Sequence, residues 1–435
     1  MIPLVVEDVR ALAPGELMLA PGVERFTGVT IDSRRAARGD LFVAVGAGAA
    51  YAPDALARGA AGALAPEDAF SALGALGAAV RAQSRARVVG ITGSTGKTST
   101  KDILAALCRP HARTVAAEAS YNNEIGVPLT LCRIEPDTEI VVLELAMRGP
   151  GQIAELARTA RPDIGVVTGI GPAHLELVGT LEAVAKAKSE LLEALPPGGK
   201  AVVPAGEPLL EPYLRADLEI LRFGAGGDVS LQAFRPGRRE AQLEVEAFGK
   251  SLTLNFNFRS RHNAENALAA LAAYRAVGLP LEKVQEGALD IVLSRWREEE
   301  IELPNGVLLL NDCYNANPIS MRAALVHLAD RAGSRRRVAV LGPMAELGTE
   351  APGYHREIGE AAVRGGVDVL VAIGELGRGY VEGASGVPLT YAAADVEEAV
   401  ALLRELLRPG DCVLVKGSRA FGLEAVGEAL TSVIA

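Results

Sequence analysis

The sequence predicts an α/β protein built on parallel sheets, and three observations carry that expectation. From Arg87 onward, continuous apolar runs alternate with helical segments, the pattern of parallel strands covered on both faces. The first of these runs leads into a Gly-rich turn that ends Gly-Lys-Thr. After about Glu298 a second set of strand–helix units begins, which reads as a second open α/β sheet. The chain of 435 residues is long enough for two to four domains at about 100–200 residues each.

The elements follow in order. Val29–Arg34 and Leu41–Val45 are short strand-like runs bounded by Gly and Asp. The Ala/Gly-rich stretch that continues to about Val80 reads as small-residue helix packing, because Leu and Phe recur inside it. Buried-strand runs then fall at Val88–Thr92, Ile140–Leu145, Gly165–Gly169 and Ala201–Pro204. Leu252, Leu254, Phe256 and Phe258 alternate with polar residues, the period of a half-exposed antiparallel strand. Ala264, Ala267, Leu268, Leu271 and Tyr274 follow helical spacing. The last strand candidates are Val307–Asn311, Val338–Gly342, Val369–Gly374 and Val413–Lys416. The charged run Arg297–Glu300 between the two sets reads as a solvated junction.

Composition excludes several classes. With 49% hydrophobic and 23% charged residues the chain is globular, and a net charge of −10 argues against a nucleic-acid or anionic-membrane binder. No apolar run reaches the roughly 20 residues of a membrane span, and the N-terminus lacks the pattern of a signal peptide. Cys108, Cys132, Cys313 and Cys412 lie far apart with no C-x-x-C, which points to cytosolic thiols.

Val88–Thr92 runs into Gly93-Ser94-Thr95-Gly96-Lys97-Thr98-Ser99, and a helical segment from Lys101 to Cys108 ends before Pro110. Strand, Gly-rich turn, Lys-Thr and helix is the setting of a phosphate-binding loop, although Ile91 stands where the full motif has its first Gly. Backbone N–H groups and the helix N-terminus would face phosphate oxygens, Lys97 would reach the terminal phosphates, and Thr98 would place a hydroxyl on Mg²⁺. Glu144 closes the next strand; beside a phosphate loop it suits Mg²⁺, while taken alone such a residue is more often a solvated edge carboxylate. His174 follows a further strand by five residues, and a lone His is usually structural. Lys186 to Leu192 reads as a helix, on which a lysine ordinarily faces solvent.

Together these segments resemble the Mur ligases, the ATP-dependent enzymes that build the cell-wall peptide. The resemblance runs in order through Thr92–Ser99, Asn122–Thr130, Glu144 and its Leu-Ala-Met-Arg-Gly sequel, His174, Ala187-Lys188, His262–Ala270, Ser294-Arg295-Trp296, Asn311–Pro318 and Lys416–Arg419. It implies three domains: a UDP-substrate-binding domain over 1–86, a central ATP-binding domain over 87–298 with a small antiparallel part, and a C-terminal Rossmann-like domain over 299–435. It implies ATP and Mg²⁺ as cofactors, with Gly93 to Ser99, Asn263, Asn266, Arg295 and Asp312 at the nucleotide. Thr98, Glu144, His174 and a carbamylated Lys188 would hold the metal. Ser33, Arg34, Asn122, Asn123, Tyr314, Asn315 and Asn317 would face substrate. Asn122–Thr130 and Tyr314–Pro318 match the branch that adds D-alanyl-D-alanine to a UDP-N-acetylmuramoyl tripeptide through an acyl phosphate. The expected enzyme is a cytoplasmic monomer. Two other readings remain open: a ligase of the same superfamily with another amino acid or a folate glutamate chain, and a kinase or nucleotide switch that forms no amide. The sequence departs from the family in two places. Gly48-Ala-Ala-Tyr51-Ala-Pro replaces the usual Asp-Gly-His segment, and Pro343 replaces the usual Asp of the Gly342–Gly348 loop.

Overall fold

A computed structural model describes residues 1–433. It contains four sheets. Two lie in the first 66 residues: a two-stranded pairing of Leu4–Val5 with Arg25–Phe26, and a four-stranded sheet ordered Gly15–Leu19, Gly62–Pro66, Asp40–Val43, Gly28–Thr30. The expected Val29–Arg34 strand stops at Thr30. Asp32 accepts the Arg34 N–H and turns the chain into a short helix over Ser33–Arg35. The Ala/Gly-rich stretch is not all helix. Gly62–Pro66 is a central strand, paired parallel to Asp40–Val43 and antiparallel to Gly15–Leu19, and Phe26 packs closely against Gly62, leaving no space for a side chain there. Short apolar runs do not distinguish strand from buried helix by period alone.

The nine-stranded sheet is ordered Lys250–Phe256, Ala241–Ala247, Val229–Pro236, Glu219–Phe223, Lys200–Pro204, Ile164–Val167, Arg87–Thr92, Ile140–Glu144, Thr114–Ala116. Its last six strands are parallel, and the first three form an antiparallel meander. Arg87–Thr92 pairs with Ile164–Val167 on one side and Ile140–Glu144 on the other. Both neighbours follow it in sequence, so the chain's winding reverses here, and ligands of open α/β sheets collect at the carboxyl ends of such strands. Every residue of Ile140–Glu144 is buried.

The six-stranded sheet is ordered Glu299–Glu302, Leu308–Asn311, Cys412–Lys416, Arg337–Leu341, Val369–Ile373, Leu389–Ala393. All its pairings are parallel except the first. Apolar clusters cover both its faces, one around Leu310, Leu341 and Tyr380 and the other around Val338, Val371 and Leu403.

By contact density the chain divides into two compact units. One comprises residues 1–169, 186–258 and 265–292; the other comprises 170–185, 259–264 and 293–435. Within the second unit the Arg297–Glu300 run is not a solvated junction. Glu299 begins a strand, and the Glu298 and Glu300 side chains are each 7% exposed. Glu300 meets Arg259 and Arg331 at 2.9 Å and lies 3.6 Å from His327. Burial works against its charge, but His327, Arg331 and Arg259 hold the carboxyl below its ordinary pKa. For Glu300, charge pairing replaces the solvent that a carboxylate would otherwise require.

Removing that carboxylate charge leaves two arginines and His327 clustered without it. Glu300→Gln is expected to cost the second unit about 3–5 kcal/mol. Trp296 is the one tryptophan of the chain and lies in this unit, so its fluorescence during denaturant unfolding reports the loss. An unchanged midpoint would show that Glu300 does not hold the cluster together.

Candidate active site

The first unit's site is built on the turn after Arg87–Thr92. Gly93 has φ +144°, and a Cβ there would lie 2.0 Å from Thr168 Oγ1 and 2.9 Å from the Thr168 nitrogen. Gly96 has φ +78°, and a Cβ there would lie 2.2 Å from Asn266 Oδ1. Both positions therefore require glycine, for backbone conformation and for space. Helix begins at Lys97, four residues before the expected Lys101 start, and runs to Cys108. The turn is held from below: Ser94 N–H donates to Gly169 O at 2.9 Å, and the Thr168 hydroxyl donates to Thr95 O. Lys97 Nζ donates to Gly93 O at 2.8 Å.

Glu144 lies at the carboxyl end of the neighbouring strand and is 1% exposed. It is no solvated edge residue. Thr98 Oγ1 donates to one carboxylate oxygen and Asn122 Nδ2 to the other, each at 2.8 Å. The buried carboxylate takes a hydrogen bond on each oxygen, and Thr98 Oγ1 keeps lone pairs for a cation. These oxygen donors suit Mg²⁺, which takes few protein carboxylates and keeps waters. Among the described residues, no group of three His, Cys, Asp or Glu side chains could hold a metal on its own. The predicted set needs only one carboxylate, one His, a hydroxyl and a carbamate.

Lys188 is 1% exposed on the helix Leu181–Glu193, whereas Lys186, two residues earlier, is exposed. Two residues on a helix are about 200° of rotation, so only one of the pair can face inward. Burial, followed by the charge of Lys97, pushes the Lys188 amine well below its ordinary pKa, with Glu190 acting in the other direction. A neutral amine is the form that reacts with CO₂.

Asn122 is placed by a residue that sequence reasoning left unassigned. Lys101, 1% exposed, donates from Nζ to Ala117 O and Ala119 O at 2.8 Å each and pairs with Asp102. It ties the helix to the backbone just before Asn122. Asn123 Oδ1 accepts from the Gly126 N–H at 3.0 Å, at the start of the Gly126–Leu131 helix. Ser33 is buried, while Arg34 is exposed and pairs with Asp32 at 2.9 Å. Where the family's Asp-Gly-His segment is missing, Gly46–Tyr51 forms a short helix that leaves Tyr51 59% exposed.

In the second unit, Asn263 Nδ2 donates to Glu298 at 2.7 Å, and Asn263 is buried. Asp312 accepts from Lys416 Nζ at 2.6 Å, and the same ammonium reaches Asn315 O at 3.0 Å. Lys416 is 2% exposed, so a charge pair fixes the segment Asp312–Asn315. The Tyr314 ring lies under the Arg297 guanidinium at 4.3 Å, and Arg295 lies 5.1 Å from the Trp296 ring centre. Asn317 caps the helix Pro318–Ala332 in a capping box with Ser320. His174 contacts Glu346 through Nδ1.

The predicted residues thus fall in both units. Lys97, Thr98, Asn122, Glu144, Lys188 and Asn266 belong to the first, and His174, Asn263, Arg295, Asp312 and Tyr314 to the second. Sequence reasoning gave no role to Thr168, Glu298 or Glu346, whose partners lie far away in sequence.

The profile of the Mur ligase middle domain matches residues 91–274, and that of the Mur ligase glutamate ligase domain matches residues 296–419. The chain is 39% identical over 398 residues to the UDP-N-acetylmuramoyl-tripeptide–D-alanyl-D-alanine ligase of Mycobacterium tuberculosis, a match covering 83% of this chain and 77% of that one. It is 35% identical over 433 residues to the ligase of the same name from Escherichia coli (strain K12), covering 98% and 93%. Among solved structures, MurF from Acinetobacter baumannii superposes with a TM-score of 0.86 at 28% identity over 99% of both chains. MurF ligase from Thermotoga maritima in complex with ADP superposes with 0.80 at 28% identity, covering 94% of this chain and 97% of that one.

Gly96→Ala tests the phosphate turn. Left-handed strain of about 1–2 kcal/mol, together with the approach to Asn266, should displace the loop. Calorimetric titration with a non-hydrolysable ATP analogue is expected to show affinity reduced at least about tenfold, since 1.4 kcal/mol is a factor of ten. Wild-type affinity in a folded Gly96→Ala protein would remove the turn from nucleotide binding.

Proposed function

The chain belongs to the Mur ligase family, and from that premise we propose that it joins D-alanyl-D-alanine to a UDP-N-acetylmuramoyl tripeptide at the expense of ATP. Its relatives from Mycobacterium tuberculosis and Escherichia coli are named for joining these two substrates, and a MurF ligase of similar fold binds ADP, which supports this reading and a place in peptidoglycan precursor synthesis. In this reading residues 1–86 bind the UDP portion, with Ser33 and Arg34 on that side. Residues 87–298 bind ATP, and 299–435 form the Rossmann-like ligase domain. The enzyme acts in the cytoplasm as a monomer. Among the described residues no helix is long and apolar enough to cross a membrane.

The single observation that favours an amide ligase over a P-loop kinase or switch is the buried, electrostatically depressed amine of Lys188 near Lys97. Phosphoryl transfer alone does not call for it. The tripeptide carboxylate is a poor acyl donor until its oxygen attacks the γ-phosphorus of ATP and ADP leaves. The amine of D-alanyl-D-alanine then attacks the acyl carbon, loses a proton, and phosphate departs. Lys97 places positive charge at the transferring phosphoryl group, and the loop N–H groups orient it. Thr98 and Glu144, with His174 and a Lys188 carbamate as the resemblance implies, would hold Mg²⁺. When bound, the ion supplies charge neutralisation at the phosphates. Exclusion of water protects the acyl phosphate from hydrolysis.

The decisive assay is ADP release with the UDP-muramoyl tripeptide, with and without D-alanyl-D-alanine. Sustained release that requires both supports the ligase. Release without the dipeptide would point to the kinase or switch, and none with both substrates would point to another ligase of the superfamily or to a switch. Lys97→Ala is expected to abolish turnover while the protein stays folded. Lys188→Ala is expected to lose nearly all activity and to regain part of it with formate, whereas Lys186→Ala should be mild. A ¹³CO₂-derived carbamate signal should disappear in Lys188→Ala; absence of that signal from the wild type would sink the carbamate.

A further inference from the structure

We propose that Glu346 is a positioning residue for His174: its carboxylate keeps the ring hydrogen on Nδ1 and so turns Nε2 out as the lone-pair nitrogen. The inference rests on the reading of His174 as a metal-side group, and it gives a role to the Gly342–Gly348 loop, where Pro343 departs from the family.

The geometry is local to the second unit. His174 Nδ1 contacts Glu346 Oε2. An ionised carboxylate can only accept a hydrogen bond, so the ring nitrogen facing it carries the hydrogen. A neutral imidazole has one N–H, and the other nitrogen is then the ligand atom. Metal-ligating histidines in general donate their second ring N–H to such an acceptor.

The two residues are also held face to face by their backbones. His174 and Glu346 both have left-handed φ, +60° and +62°, and neither is glycine. Residues kept in that region persist where the surroundings over-determine them. Those surroundings are visible. Glu176 N–H donates to Glu346 O at 3.1 Å, and Gly348, at φ +60°, lets the loop approach the Glu176 Cα. On its other side the loop is anchored at four consecutive residues. Tyr380 Oη donates to Gly342 O at 2.9 Å, Ser418 N–H to Pro343 O at 3.0 Å, Met344 N–H to His355 Nε2 at 3.0 Å, and Ala345 N–H to Ser418 Oγ at 3.0 Å. The Pro343 anchor uses its carbonyl, which proline retains. Glu346 therefore extends from a fixed platform.

A stabilising role does not account for the pair. The side chains are 23% and 39% exposed, and ion pairs that accessible contribute little to stability. Orientation of the imidazole is what so rigid a mount provides.

The test reads the tautomer directly, in the metal-free protein. The chain has five histidines, so histidine-selective ¹⁵N labelling with long-range ¹H–¹⁵N correlation can resolve the ring of His174, assigned by its loss in a His174→Gln variant. In mildly alkaline buffer wild-type His174 is expected as the Nδ1–H form, the one that donates to Glu346. In Glu346→Ala the Nε2–H form should appear, and kcat should fall on the order of 10- to 100-fold with a smaller change in the KM for ATP. Glu346→Asp should recover part of both effects. An Nε2–H wild type overturns the proposal without any variant; so does an Nδ1–H form that persists in Glu346→Ala, or an unchanged kcat. If the wild type fails to release ADP with both substrates, the ligase reading falls, while the tautomer still decides the role of Glu346.

Discussion

One buried carboxylate organises the phosphate side of this protein. Glu144 lies at the end of a strand whose five residues are all buried, so its charge cannot be left to water. Its two oxygens take hydrogen bonds from Thr98, on the first turn of the phosphate-loop helix, and from Asn122, in the loop that follows Thr114–Ala116. Helix, strand and loop are therefore tied to a single anion. Lys101 repeats the tie one turn further along the helix, where its ammonium holds the carbonyls of Ala117 and Ala119. The glycines at 93 and 96 then let the turn fit against Thr168 and Asn266.

The same enclosure decides the chemistry available to Lys188. An ammonium in that position would be desolvated and would face the positive charge of Lys97, and both effects favour the neutral amine. Neutralised in this way it can become a carbamate, which reverses the sign of the charge it presents and makes it an oxygen donor of the kind magnesium prefers. Lys186 shares the helix and the local sequence, but its exposure leaves it an ordinary lysine.

In the second unit three glutamates do comparable work with different partners. Glu300 collects Arg259, Arg331 and His327; Glu298 orders Asn263; Glu346 faces His174. Trp296, Glu298 and Glu346 all have left-handed backbones, as does His174. Strain of this kind concentrates where a side chain must be aimed, and here it clusters around residues that the Mur ligase resemblance assigns to nucleotide and metal.

Much of this protein was legible in its sequence. The central sheet, the phosphate turn and the six-stranded sheet followed from continuous apolar runs, a Gly-Lys-Thr turn and strand–helix alternation, because burial on both faces and close backbone approach leave direct marks on residue type. Glu144, Lys188 and Lys97 could be named because they stand in short motifs. What those motifs could not supply was environment. Strand Gly62–Pro66 was hidden among small residues that pack equally well in helices. The Arg297–Glu300 run looked solvated because its counter-charges come from residues 259, 327 and 331. Lys188 was, by local sequence, a solvated helix lysine; only the packing of its helix buries it beside Lys97. Glu346 and Thr168 could be given no role from the sequence, since each acts through a partner more than seventy residues away. Local residue patterns record what each segment needs for itself. Which charges meet, and which are removed from water, is decided only when distant segments share one interior.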